Sequence, residues 1–320
     1  MRRNRHPPAG EARGMTPIAA MTHAAVASPW PWPWLDRAGR FSWLRAGVLA
    51  AALLPGLALL VLLATGQYGA DPWKQATRDA GTLAIRLLLV SLFITPLRHL
   101  ADWPKAPTLR RMLGLLALAY ALLHLGLYAG HLGWRLGEVA SEIALRFYLT
   151  LGFAVLLGLV ALGWTSTDGW QRRLGPRWKR LHRLAYGLAA LGILHAFLQA
   201  KSRADEAVVL AGLWLWLMGW RLLPGWARAH GGALAGLAVL AAIGAALLEW
   251  AWYAAATSLP AGRILAANLT PDLALRPAHG VLAAGLALAL AAVLRRRLRT
   301  VPPPGKAAPR ARRRAVSQSG

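Results

Sequence analysis

His182 and His195 stand thirteen residues apart in the stretch Thr165 to Ala200, where a basic loop runs into an apolar segment. On a helix thirteen residues rise roughly 20 Å, at about 1.5 Å each, so the two imidazoles sit near opposite levels of a bilayer. An ionisable group inside a membrane helix is costly and marks function by default. His124 lies thirteen residues past Arg111, where another apolar run leaves a basic loop. Both runs head the same way, so His124 and His195 reach similar depth. Two neutral imidazoles facing each other at one level are what a six-coordinate b-type haem iron requires. His182 falls near the basic surface.

Helical phase complicates this picture. At about 100° per residue, thirteen residues leave His182 and His195 some 140° apart around a straight axis. Either the helix bends, or two haems lie on different sides of it, or His182 is not a ligand.

Other residues are weaker candidates. Tyr120 and Tyr128 flank His124 at i−4 and i+4, on one helix face; they suit a macrocycle or ordinary packing. His99 closes the second apolar run level with His182 and is either a further ligand there or a helix-end histidine. Arg86 is the deepest cation, suited to a haem propionate, a quinone or a headgroup. His131 belongs at the rim, Glu249 near an edge, and His6, His23, His230 and His279 read as incidental.

The elements that must hold these groups follow from composition. The chain has 320 residues, 57% hydrophobic and 15% charged, with no cysteine. Disulfides, thiolate zinc sites, iron–sulfur clusters and c-type haem attachment are thereby excluded. Eight apolar runs are each near the ~20 residues that cross a bilayer: Trp43–Leu63, Gly81–Leu97, Met112–Leu132, Leu145–Trp164, Leu181–Gln199, Ala207–Leu223, Gly232–Trp252 and Ala278–Leu294. In lipid the backbone must satisfy itself, so these are helices, and the fold class is an all-α membrane protein. The net charge of +25 sits in loops and tails, as the positive-inside bias of membrane proteins requires; it does not point to nucleic acid. Lys and Arg counts place both termini in the cytoplasm. Residues 1–40, with Pro-Trp repeats and no convincing signal peptide, read as a disordered basic arm. Residues 300–320 read as a disordered basic tail that sets topology or rests on membrane lipid.

Together these motifs resemble the MsrQ (YedZ) family, the haem-binding membrane subunit of the protein-methionine-sulfoxide reductase system with a ferric-reductase-like transmembrane domain. The resemblance spans about residues 41–223. It rests on Gly69-Ala70-Asp71-Pro72, Ile94-Thr95-Pro96-Leu97, Arg110-Arg111-Met112-Leu113-Gly114-Leu115 with Tyr120 and His124, and Tyr148-Leu149-Thr150-Leu151-Gly152. Its strongest part is Thr165-Ser166-Thr167, Arg173-Leu174-Gly175, Trp178, Leu181-His182 and Leu194-His195. The resemblance implies a six-helix core holding haem b on His124, His182 and His195, with FMN at residues it does not assign. It implies a non-catalytic subunit of the bacterial inner membrane. Electrons would come from the quinone pool and leave for a periplasmic molybdopterin-containing methionine-sulfoxide reductase. Ala196-Phe197-Leu198-Gln199 departs from the family's more aromatic run, and residues 224–299 add two helices beyond the six. Two alternatives carry different expectations. A self-contained ferric or oxygen reductase needs a separate flavin partner, since no Gly-rich phosphate loop follows a strand here. A transporter or scaffold would show internal repeats and midplane charge; no clear repeat is evident and Arg86 lies off the midplane.

Overall fold

The computed structural model describes residues 32–36, 38–200, 203–270 and 275–300, with residues 299 and 300 described by their backbone alone. The expected disordered arm before residue 32, the tail after residue 300, Lys201 and Asp272 lie outside the described residues. A short turn is closed by a bridge between Leu35 and Phe41. Within it the Asp36 carboxylate accepts the N–H groups of Arg40 and Ala38 at 3.0 and 2.8 Å. Those bonds, that of Arg40 first, hold its carboxyl below the usual range.

From residue 43 the described chain is helical. The elements are α1 (Trp43–Ala64), α2 (Pro72–Ala101), α3 (Pro107–His131), α4 (Leu136–Leu145), α5 (Phe147–Trp164), α6 (Asp168–Leu174), α7 (Pro176–His182), α8 (Leu184–Ala200), α9 (Asp205–Leu222), α10 (Gly231–Ala256), α11 (Ala261–Leu269) and α12 (Pro277–Thr300). Seven segments are long and apolar enough to cross a membrane: α1, α2, α3, α5, α7 with α8, α10 and α12. The sixth expected span, α9, carries Asp205, Glu206 and Arg221 and is not among them. It packs against α2, α8, α10 and α12.

Two further expectations change. The second run is a 30-residue helix that begins at Pro72, capped by the Asp71 carboxylate on the Lys74 N–H; Pro at the first helical position loses nothing, because that N–H has no partner anyway. The stretch carrying His182 and His195 is α7 followed by α8, with a tighter turn at Arg183, whose N–H bonds the Arg180 carbonyl while its backbone stays helical.

Prolines inside α1 and α2 leave gaps in the ladder that other helices fill. Pro96 cannot donate to the Leu92 carbonyl; the Arg221 guanidinium of α9 donates to it at 2.8 Å. Beside Pro55 of α1, the Tyr120 hydroxyl donates to the Ala52 carbonyl and accepts the Gly56 N–H, both at 2.8 Å. That hydroxyl stands inside an i→i−4 helical bond. A Cβ at Gly56 would lie 2.4 Å from it, so only glycine admits the tyrosine. Tyr120→Phe is expected to cost about 1 kcal/mol or less in thermal unfolding, because Gly56 and Ala52 can then bond each other.

One core cluster runs through α2, α5, α8, α9, α10 and α12. Large side chains left exposed, such as Leu54, Leu57 and Val61 on α1, face where acyl chains would lie. Helices approach closely through small residues: Gly212 meets Val281 and Ala245, and Gly285 meets Ala238. These contacts seat α10 and α12 on α9.

Candidate functional site

The structure brings His124 and His195 together. Their ring centroids are 6.1 Å apart with planes at 89°. They face across an apolar cavity between α2, α3, α5 and α8, with about 950 Å³ of space partly open to the surroundings. Each imidazole is held in the same way. His124 Nδ1 lies 2.7 Å from the Thr77 carbonyl of α2, and His195 Nδ1 lies 2.7 Å from the Tyr148 carbonyl of α5. A carbonyl only accepts, so each Nδ1 carries the proton and each Nε2 keeps its lone pair free. A histidine prepared in this way is a metal ligand with its tautomer set by the outer hydrogen bond.

Glycine makes the room. A Cβ at Gly81 would stand 2.8 Å from His124 Nδ1, and one at Gly152 would stand 2.7 Å from His195 Cε1. The two half-sites repeat each other in sequence. Gly81 precedes His124 by 43 residues and Gly152 precedes His195 by 43; each carbonyl partner precedes its histidine by 47. Cavity-lining residues pair off at the 71-residue spacing that separates the two histidines: Ala84 with Val155, Ile85 with Leu156, Leu88 with Leu159, Ala121 with Gly192. This repeat escaped the sequence reading. The signal that finds it is a glycine 43 residues before each of two histidines.

The cavity fits a haem on three counts. Its wall is almost wholly apolar, suited to a macrocycle. Both free nitrogens belong to rings whose carbonyl bonds point them inward. The spacing also agrees: with about 2 Å from a metal to an imidazole nitrogen and roughly 1 Å more to the ring centre, two imidazoles that would share one metal ion have centres about 6 Å apart.

The weaker candidates separate. Tyr128 lines the cavity and its hydroxyl donates to Glu142 at 3.4 Å. Glu142 pairs with Arg146 at 2.7 Å, and α4 contributes Ile143 to the cavity wall. Tyr120 does not share that face; it is turned to α1. Arg86 pairs with Glu206 of α9 at 2.5 Å and is outside the lining. His131 lies 3.8 Å from Asp71, and His230 caps α10 through the Ala233 N–H.

His182 lies apart from the pair. Its ring stacks on Trp178 at 3.9 Å, with Nε2 3.4 Å from the Ser166 hydroxyl. Its Nδ1 is buried without a hydrogen-bond partner, which leaves that atom available to a ligand. His99 does not join it. His99 packs on Trp220 and opens to a separate basic cavity.

Glu249 and His279 are the misread residues. Glu249 is fully buried rather than near an edge. It is paired with Arg276 and accepts the Asn268 amide at 2.8 Å. His279 Nδ1 accepts the Arg276 N–H at 3.0 Å, and its Nε2 faces the Asn268 carbonyl at 3.0 Å. The partners come from α11 and the start of α12, elements with little signal in sequence.

Valine at Gly152 is expected to push the His195 ring off its carbonyl and to cut bound haem several-fold, with helix content unchanged. Gly187→Ala, where the added Cβ meets nothing, is expected to leave haem content as it was. Pyridine haemochrome assay on both purified variants makes the comparison.

The helical bundle and its paired imidazoles agree with a family match: residues 80–193 match the family described as "Ferric reductase like transmembrane component". Curated relatives sharpen this. The chain is 40% identical over 210 residues to the "Protein-methionine-sulfoxide reductase heme-binding subunit MsrQ" of Deinococcus radiodurans, covering 65% of this chain and 91% of the relative. It is 40% identical over 201 residues to the protein of that name from Rhodospirillum rubrum, covering 62% and 93%. With the one from Xanthomonas axonopodis pv. citri it shares 43% over 155 residues, 48% and 71% of the two chains. The chain therefore belongs to the MsrQ family. No solved structure matches it.

Proposed function

We propose that this chain is the membrane electron-transfer subunit of a methionine-sulfoxide reductase system, binding haem b between His124 and His195. The observation that carries the proposal is two imidazoles 6.1 Å apart beside an apolar cavity, each with its Nδ1 on a backbone carbonyl. Bound there, haem supplies a one-electron carrier within the bilayer. The protein's part is to fix both tautomers through Thr77 and Tyr148, keep the rings close through Gly81 and Gly152, and exclude water with an apolar wall. His182 is proposed as a further haem-associated residue, through its unpartnered Nδ1.

Family membership supports the remaining steps. Electrons enter from the quinone pool, with FMN as a second cofactor. They leave for a periplasmic, molybdopterin-containing methionine-sulfoxide reductase, which carries out the chemistry on oxidised periplasmic proteins. The subunit itself is not the catalyst. Residues 41–223 form the haem-binding part and 224–299 an added part, in the bacterial inner membrane with both termini cytoplasmic.

The test is the reduced-minus-oxidised spectrum of the purified chain from haem-replete cells. A b-type haem difference band is expected, bleached on adding the oxidised reductase subunit with its substrate. A colourless preparation would sink the proposal. A coloured one that the reductase cannot reoxidise would leave the haem site and remove the partner.

A further inference from the structure

A second cavity lies away from the histidine pair, where the end of α2 meets the end of α12 and the turn at residues 227–229. It has about 830 Å³ of space, partly open to the surroundings, and its wall is half polar. Arg98, Arg295, Arg296 and His99 line it, with Asp102 the one carboxylate. Arg295 is engaged: it donates to the Leu100 carbonyl at 2.6 Å and lies 3.5 Å from Asp102. Arg98 and Arg296 have no ion-pair partner among the described residues. His99 and Arg228 both pack on Trp220, which backs the site.

Arginines at helix C-termini can simply offset the helix dipole. That does not explain this arrangement. Residues about two hundred positions apart in sequence converge on one cavity, and only one of the three guanidiniums is neutralised. Guanidinium clusters of this kind bind phosphate oxygens, which they meet with paired donors. Both helices are long and apolar enough to cross a membrane and end here, which suits the cavity to headgroup level. We propose that this cavity binds a phosphate-bearing anion, with Arg98 and Arg296 as its direct ligands and Arg295 held ready beside them. A phospholipid headgroup and a free phosphate share this chemistry. The site exists only because α12 is docked on α2, and it stands independently of the haem reading.

The experiment is thermal unfolding of the full chain in detergent, titrated separately with phosphatidylglycerol, phosphatidylcholine and inorganic phosphate. Phosphatidylglycerol is expected to raise the midpoint and phosphatidylcholine to leave it nearly unchanged. In Arg98→Gln/Arg296→Gln the apparent affinity is expected to fall about tenfold, the loss of one or two charge-assisted bonds. The single change Arg296→Gln, at an exposed position on the last turns of α12, gives a smaller loss in the same direction. Arg172→Gln/Arg173→Gln in α6 controls for net charge and is expected to respond like the wild type. If inorganic phosphate reproduces the shift and Arg98→Gln/Arg296→Gln abolishes it, the site holds with free phosphate as its source. Equal responses from wild type and Arg98→Gln/Arg296→Gln overturn the proposal. So does an equal loss in the α6 control, or no response to either anion.

Discussion

Alanine at His124 or at His195 is expected to strip the haem band from the purified chain, lowering haem per polypeptide by at least about tenfold. Loss of groups that merely orient a metal ligand already costs 10–100-fold in metal affinity, and here the ligating nitrogen itself goes. The two variants should behave alike, because the half-sites match in carbonyl bond length and in the glycine behind the ring. His182→Ala should differ. Its ring belongs to the segment before the tighter turn at Arg183 and packs on Trp178 rather than on the pair. The band at the paired site should survive with altered intensity. Equal and complete loss in all three variants would show that His182 supports the paired site itself. Haem quantitation alongside circular dichroism separates lost ligation from lost fold.

Glu249→Ala is expected to destabilise the chain by about 3 kcal/mol, the low end for breaking a buried ion pair. The carboxylate is fully buried, whereas the Arg276 side chain keeps 23% of its exposure, so the stranded guanidinium can still reach some solvent. Asn268 loses its acceptor as well. Replacing both members, as in Glu249→Leu/Arg276→Leu, should recover most of the loss, since no unpaired charge remains. Haem content should stay near wild type in both variants, because the network joins α10, α11 and α12 and none of its members lines the histidine cavity. Parallel loss of haem and stability would show that the added helices hold the core together. A double-mutant cycle read by thermal unfolding gives the coupling directly.

Much of the fold is legible in the sequence because lipid imposes a simple rule on length and polarity. Seven of the eight apolar runs correspond to helices able to span. The exception is informative. α9 has a span's length, but its charges Asp205, Glu206 and Arg221 sit in its first and last turns, and neighbouring helices cover much of its middle. The His124–His195 pairing was legible too, since depth along a helix is a count of residues. What depth cannot give is azimuth. Tyr120 is four residues from His124 and should share its face, yet Pro55 opens α1 and draws the hydroxyl there. Glu249 looked peripheral because α11 and Arg276, which cover it, lie in a connection without hydropathy signal. The glycine–histidine repeat went unseen because the other identities it keeps, such as Leu88 with Leu159 and Leu123 with Leu194, are apolar residues common in every membrane helix.

The carbonyl-to-imidazole bonds also bear on how such a chain can change length over evolution. Each bond joins two packed helices, so its register depends on where Thr77 and His124, or Tyr148 and His195, sit within their own helices. Residues added to the connection at 102–106 leave both registers intact. One residue added inside α3 ahead of His124 turns the imidazole by about 100°, off the Thr77 carbonyl and out of the cavity. Insertions are therefore tolerated between the helices and selected against within them. The second half-site fits α6 and α7 between its two helices while keeping the same 47-residue separation, so its longer connection is matched by shorter helices.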